Sequence, residues 1–303
     1  MIEVLEYAFF MLFRKIARNL PYQVVGRLGE LLGTLMYRVV GYRKRLALEN
    51  IGYAFPELDW KAKKQIALGA FKNYGASVLH MLWADGQTEQ TLLKTVWIPD
   101  RTPLERCLEK RKGVIILSGH YGSWEFIVHG LRLHIGRPMG IIVQRQRNKK
   151  IDSIIDRGRR RHNNVTIPMG PSSREALKIL HEGGVLALLG DQSGPRESAF
   201  VDFFGRPAAT HRGVAAFSLK TGAPIVMVFL IRQPDWTYLA VFEEVDSSDL
   251  HDSSEENIIE LTRRHTKLLE KYIRLHPDHW LWMHKRWKHT QEYETARKAT
   301  ATL

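Results

Sequence analysis

An α/β fold, with a mixed and largely parallel sheet covered by helices, is predicted by three observations. Short apolar runs, "GVIILS", "MGIIVQ", "VTIP", "VLALLG", "PIVMVFLI" and "YLAVFEE", recur through the middle and later parts of the chain. Amphipathic stretches such as "SSREALKILHEGG" lie between them, the pattern of helices packed over a sheet. At 303 residues and 44% hydrophobic composition, the chain can bury a full core and lacks the polar, aromatic-poor make-up of a disordered protein.

The N-terminus reads as an amphipathic helical segment. Its apolar core, "AFFMLF", is flanked by Glu3 and Glu6 on one side and by Arg14, Lys15 and Arg18 on the other. A bilayer span needs roughly 20 apolar residues. The acidic start and the lack of a small-residue cleavage site also disfavour a cleavable signal. Leu5, Phe9, Leu12, Phe13 and Ile16 share one helical stripe; after Pro21 a second apolar segment, "VVGRLGELLGTLMYRVV", runs to the basic cluster "GYRKR". Helices lying in a lipid interface fit this pattern, and ordinary packing against the core is the alternative. The expected division is a membrane-associating segment over residues 1–45 and a catalytic domain over 46–303. Within the latter, "LDWKAKKQIALGAFKNYGASVLHML" predicts a helix with Asp59 as N-cap. Near the end, Ile258, Leu261, Thr262, His265, Leu268, Leu269 and Tyr272 line one helical face.

Charge narrows the partners without choosing one. Lys and Arg number 45 against 32 Asp and Glu, a net +13, which favours nucleic acid, acidic proteins or anionic lipid. No nucleic-acid-binding motif is recognisable, and the tryptophans and apolar segments point to a membrane surface instead. Cys107 is the single cysteine, so no intrachain disulfide or Cys-based metal site is expected.

In "GVIILSGHYGSWEF", an apolar strand runs into His120, with Glu125 following. That is the carboxyl end of a strand, where α/β folds build sites. Residues five apart on a regular helix are about 140° out of phase. Gly119 and Gly122 let the chain turn, so a helix starting near Ser123 brings the Glu125 carboxylate back toward the imidazole. A carboxylate receiving Nδ1–H favours the imidazolium formed when Nε2 takes a proton, the base-and-orienter half of a triad. With no serine elbow beside it and Cys107 away from the motif, the nucleophile falls to a substrate hydroxyl. The alternative is that His120 satisfies a backbone carbonyl and Glu125 complements a helix N-terminus.

"SGHYGSWE" closely resembles the His-x-x-x-x-acid motif of the lipid A late acyltransferases, within the glycerolipid-type acyltransferases. The resemblance continues in order through "RLALENIGYAFPEL", "IIDRGRRRH", "LGDQS", "FVDFFGRPAATHRG" and "HPDHWLWMHKRWK", covering roughly residues 40–288. It departs at Tyr121, and at an N-terminus that is not a clean single membrane anchor. It implies a glycerolipid acyltransferase-like fold and transfer of a fatty acyl chain from an acyl carrier protein thioester to a hydroxyl of a lipid A precursor. The implied location is the cytoplasmic face of the inner membrane, peripheral or monotopic, with no cofactor. A phosphatidylinositol mannoside or lysophospholipid is the alternative acceptor.

In the resemblance, His120 is the general base and Glu125 its stabiliser, while Asp191 and Gln192 in "ALLGDQSG" shape a substrate site. A turn with Asp191 bonded to local backbone is the competing account. In "QRQRNKKIDSIIDRGRRRH" only Asp152 and Asp156 oppose the cations. Arg157 and Arg161, four apart, would share a helical face and grip a phosphate, with Arg159 and Arg160 beside them. Thr210 is placed as a cap for "HRGVAAFSLKTG". Trp280, Trp282 and Trp287 suit either the headgroup layer or the core. His279, His284 and His289 lack a Cys or Asp cluster, so no metal is expected.

Overall fold

The computed structural model describes residues 2–170 and 173–301, so Ser172 of the "SSREALKILHEGG" stretch lies outside the described residues. Helices α1 (Ile2–Asn19) and α2 (Tyr22–Leu35) are divided at Pro21, which has no N–H to continue a helix. A π-helical turn, Met36–Val40, leads to α3 (Lys44–Ala54) and then to α4 (Trp60–Ala84). The Asp59 carboxylate caps α4, accepting the Ala62 N–H at 2.7 Å as the sequence predicts. Glycine lets α2 cross α4 at backbone contact: a Cβ on Gly33 would stand 2.1 Å from the Phe71 carbonyl oxygen. Among the described residues no helix is long and apolar enough to cross a membrane.

Short α5 (Glu89–Leu93), strand β1 (Val96–Trp97) and α6 (Thr102–Glu109) precede the sheet proper. Strand β2 (Val114–Ser118) is followed by a π-helical turn, Ile127–Leu131, and α7 (Arg132–Ile135). Then come β3 (Met139–Val143), α8 (Lys149–Arg159), β4 (Val165–Pro168), α9 (Ser173–His181) and β5 (Val185–Leu189). An antiparallel hairpin, β6 (Ala199–Phe203) and β7 (Arg206–Thr210), stands apart from the main sheet. The chain continues through α10 (Gly213–Thr221), β8 (Ile225–Arg232), β9 (Tyr238–Val245), α11 (Glu255–Leu275) and α12 (Thr290–Ala301).

The seven-stranded sheet has the order β1-β9-β8-β2-β5-β3-β4 and is parallel except for β8 against β9. All six apolar runs of the sequence are strands in it. Strand β2 lies at its middle, buried on both faces: Ile115 and Leu117 enter one apolar cluster, Val114 and Ile116 the other. Two covered faces explain why "VIILS" is continuously apolar rather than alternating. The predicted stripe of α11 holds, with Ile258, Leu261, Thr262, His265, Leu269 and Tyr272 buried. Thr210 is not a helix cap. It ends β7, and Arg212 occupies the position before α10.

Candidate active site

Strands β2 and β5 pair in parallel with Ser118 opposite Leu189, and the Gly190 N–H donates to the Ser118 carbonyl at 2.9 Å. Two strands that end together deliver the residues just past them, His120 and Asp191, to the same spot. Gly119 makes the approach possible, because a Cβ there would lie 3.2 Å from the Asp191 carboxyl carbon. At Gly122 φ is +56°, and a Cβ would come within 1.9 Å of the Leu230 carbonyl oxygen, so only glycine fits the turn after the histidine.

The acid that meets the imidazole is Asp191. Its Oδ1 lies 2.8 Å from His120 Nδ1, and its Oδ2 accepts the His120 backbone N–H at 2.8 Å and the Trp280 indole N–H at 2.8 Å. The expected contact between Glu125 and His120 is replaced by a buried ion pair. Arg159 Nε–H donates to Glu125 Oε2 at 3.1 Å and Nη2–H to Oε1 at 2.6 Å. The physical reason is the turn itself: Glu125 lies in a turn that leads into the π-helical turn Ile127–Leu131 rather than in a helical first turn, and its carboxylate is directed toward α8.

Burial alone would raise the Asp191 carboxyl, but the imidazole, the His120 N–H and the Trp280 indole outweigh it and bring it down to about 2. A carboxyl held below its unfolded value of about 4 stabilises the fold above that pH, and the contribution is lost as pH falls from about 4 through about 2. Asp191→Asn is therefore expected to flatten the acid-unfolding curve in that window, read by circular dichroism against pH. An unchanged curve would show that the carboxylate is not held as described. Glu125 is likewise lowered: burial opposes ionisation, while Arg159, then His129 and His120, favour it.

With Nδ1–H given to Asp191, the His120 Nε2 is an acceptor, and the Gln192 amide N–H lies on it at 3.2 Å. The imidazole keeps partial access to solvent, with 19% of its side-chain surface exposed, whereas Asp191 is buried. Trp124 stands edge-on to the ring at 5.1 Å between centroids. Such an arrangement can take a proton at Nε2 and hold the resulting charge against Asp191. Backbone N–H groups just after the histidine are committed to protein carbonyls: Tyr121 donates to the Gly119 carbonyl and Gly122 to that of His279.

The C-terminal tryptophans belong to the core, not to a headgroup layer. Trp280, Trp282 and Trp287 are all buried. Their segment zips onto the His120 turn, with a Tyr121–Trp280 bridge and the Leu281 N–H donating to the His120 carbonyl at 3.0 Å. Beneath it Arg286 is buried, bonded to the Ala209 carbonyl at 2.7 Å and Thr210 Oγ1 at 2.6 Å. Burial lowers this guanidinium to about 10, against the opposing pull of Asp191. Sequence reasoning missed the roles of Trp280 and Arg286, although the tryptophan-rich terminus had marked the segment.

The arginine run divides. Helix α8 stops at Arg159, so Arg157 and Arg161 do not share a helical face. Arg161 closes the end of α4 by donating to the carbonyls of Ala84, Asp85 and Gln87. Arg160 pairs with Asp156 at 2.8 Å, Arg159 with Glu125, and Arg157 is exposed.

A family model described as "Bacterial lipid A biosynthesis acyltransferase" matches residues 2–289. The chain belongs to this family. Similar family members include the lipid A biosynthesis lauroyltransferase of Escherichia coli (strain K12), 26% identical over 274 residues, 89% of this chain and 87% of that protein. The palmitoleoyltransferase of the same organism is 24% identical over 272 residues, 89% and 87% of the two chains. A lipid A biosynthesis acyltransferase of Haemophilus influenzae is 23% identical over 281 residues, 91% and 84%. As a lipid A biosynthesis acyltransferase the chain is an enzyme of acyl transfer, and the match spans both the His120 turn and the terminal segment packed on it.

Proposed function

We propose that the enzyme moves a fatty acyl chain from an acyl carrier protein thioester to a hydroxyl of a lipid A precursor, with His120 as general base and Asp191 as its orienter. The observation that carries this reading is the His120–Asp191 pair at the end of the two central strands, with Nε2 facing partial solvent access. The acceptor hydroxyl replaces the Gln192 amide at Nε2 and gives up its proton as its oxygen attacks the thioester carbonyl. A C–O bond forms; the tetrahedral intermediate then collapses with cleavage of the C–S bond, and the imidazolium returns the proton to the departing thiolate. Ester and thiol are the products, and no acyl-enzyme is needed.

In this reading Glu125 serves the reaction from the Arg159 pair behind the histidine rather than by touching Nδ1. Asp191 is an orienter rather than a substrate ligand, and Gln192 marks the hydroxyl's place. For the acceptor phosphates, Arg159 and Arg161 are poor candidates because their donors are already spent on Glu125 and on three carbonyls. Arg160 is likewise paired, with Asp156, and the exposed Arg157 remains the part of the run open to an anion. The enzyme works at the cytoplasmic face of the inner membrane, held peripherally by residues 1–45 ahead of the acyltransferase domain of residues 46–303. Exposed apolar residues on α1 support that attachment.

The test is product analysis. Purified enzyme is given acyl carrier protein thioesters and a panel of acceptors: a tetra-acylated lipid A precursor, a lysophospholipid and a phosphatidylinositol mannoside. Mass spectrometry is expected to show acylation of the lipid A precursor far ahead of the others. Exclusive acylation of either alternative would overturn the acceptor.

A further inference from the structure

Exposed apolar side chains on this chain are not scattered. On α1, Leu5, Phe9, Leu12 and Ile16 recur at helical spacing and all face solvent. On α2, Leu31 and Leu35 do the same, and the row continues through the π-helical turn to Val39 and Val40, 75% and 67% exposed. Ile16 and Leu31 both line one groove of 140 Å³ whose lining is entirely apolar, so the two rows meet. A continuous apolar surface on this scale marks an interaction site.

The far end of that surface is a tip. Gly41 and Arg43 both take left-handed backbone, φ +67° and +54°, and turn the chain over between α2 and α3 with Tyr42 exposed between them. Apart from its chain neighbours, no atom lies within 4 Å of the place a Cβ on Gly41 would take, so that side of the tip is open. Cations ring it: Arg38 is exposed, Lys44 Nζ sits 4.2 Å from the Tyr37 ring centroid, and the Arg45 side chain, paired with Glu49 at 2.7 Å, is 93% exposed. At the other end of the surface, Lys15 and Arg18 line an open groove with Leu12. A projecting aliphatic point within a collar of cations complements an anionic lipid layer, where the valines enter hydrocarbon and the cations meet headgroups.

The tip is also braced to the active site. Arg43 Nη1–H donates to the Met283 carbonyl at 3.0 Å, and the Asn50 amide of α3 donates to the carbonyls of Trp282 and His284 at 2.8 and 2.7 Å. Those carbonyls belong to the segment whose Leu281 N–H holds the His120 carbonyl.

We propose that the Val39–Val40–Gly41–Tyr42 tip inserts into an anionic lipid layer and, through Arg43 and Asn50, fixes the His120 site at headgroup depth. The inference rests on the lipid-acceptor reading above for its purpose, but its test needs no substrate. Vesicles of phosphatidylethanolamine and phosphatidylglycerol are compared with vesicles of phosphatidylcholine alone in co-sedimentation. The Val39→Asp/Val40→Asp enzyme, altered only at exposed positions, is expected to bind the anionic vesicles at least about tenfold more weakly. It should keep wild-type turnover on detergent-dispersed acceptor. A thiol-reactive fluorophore placed through Val40→Cys reports the depth directly. The one native cysteine, Cys107, is buried, and burial pushes its thiol up to about 12, so labelling is selective. The label is expected to shift to the blue on anionic vesicles and to be quenched by brominated acyl chains. Unchanged vesicle affinity of the double variant, or a label that stays in water, would overturn the proposal. So would a double variant that keeps its vesicle affinity and instead loses affinity for the acyl carrier protein.

Discussion

Replacing His120 by alanine is expected to lower acyl transfer by about 10²–10⁴-fold, the usual contribution of general acid–base catalysis. The fold should survive. The imidazole is part-exposed and outside both apolar clusters, and its backbone N–H and carbonyl, which anchor the turn to Asp191 and Leu281, are untouched. Initial rates with a thioester donor, alongside thermal unfolding, check both halves of the expectation. Residual transfer within a few-fold of wild type from folded His120→Ala enzyme would remove the histidine from the chemistry.

Asp191→Asn should be at least as damaging, about 10⁴-fold by comparison with amide replacement of an orienting aspartate in a triad. The amide cannot balance an imidazolium, and an amide N–H turned toward Nδ1 would favour the tautomer with the proton on Nε2, the wrong one for a base. Glu125→Gln acts differently. It leaves the Arg159 guanidinium buried without its carboxylate, a loss of about 3–5 kcal/mol in stability. Removing both partners in Glu125→Gln/Arg159→Met should recover part of that loss in denaturant unfolding. If Glu125→Gln leaves stability unchanged, the ion pair contributes nothing to the fold.

The site was half legible in the sequence because half of it is local. A strand ending in "SGHYGS" announces His120 without any knowledge of the fold, and the six apolar runs are six strands of the sheet. The partner of His120 is not local. Asp191 lies 71 positions away and arrives only because β5 pairs with β2 in the register that ends both strands together. Sequence spacing instead favoured Glu125, the acid nearest in the chain. The arginine run misled for a related reason: a four-residue spacing means a shared face only while a helix lasts, and α8 ends at Arg159. The β6–β7 hairpin was hidden in "FVDFFGRPAAT", where the short alternating runs around a Phe204–Gly205 turn carry no long apolar signal.

The central claim is that Asp191, not Glu125, receives the Nδ1 proton of His120. Proton NMR of enzyme labelled with ¹⁵N-histidine tests it most directly, with His120→Ala assigning the resonance. A hydrogen-bonded Nδ1–H signal of His120 is expected in wild type and in folded Glu125→Gln enzyme, and is expected to vanish in Asp191→Asn. A signal that survives Asp191→Asn and disappears in Glu125→Gln would contradict the account.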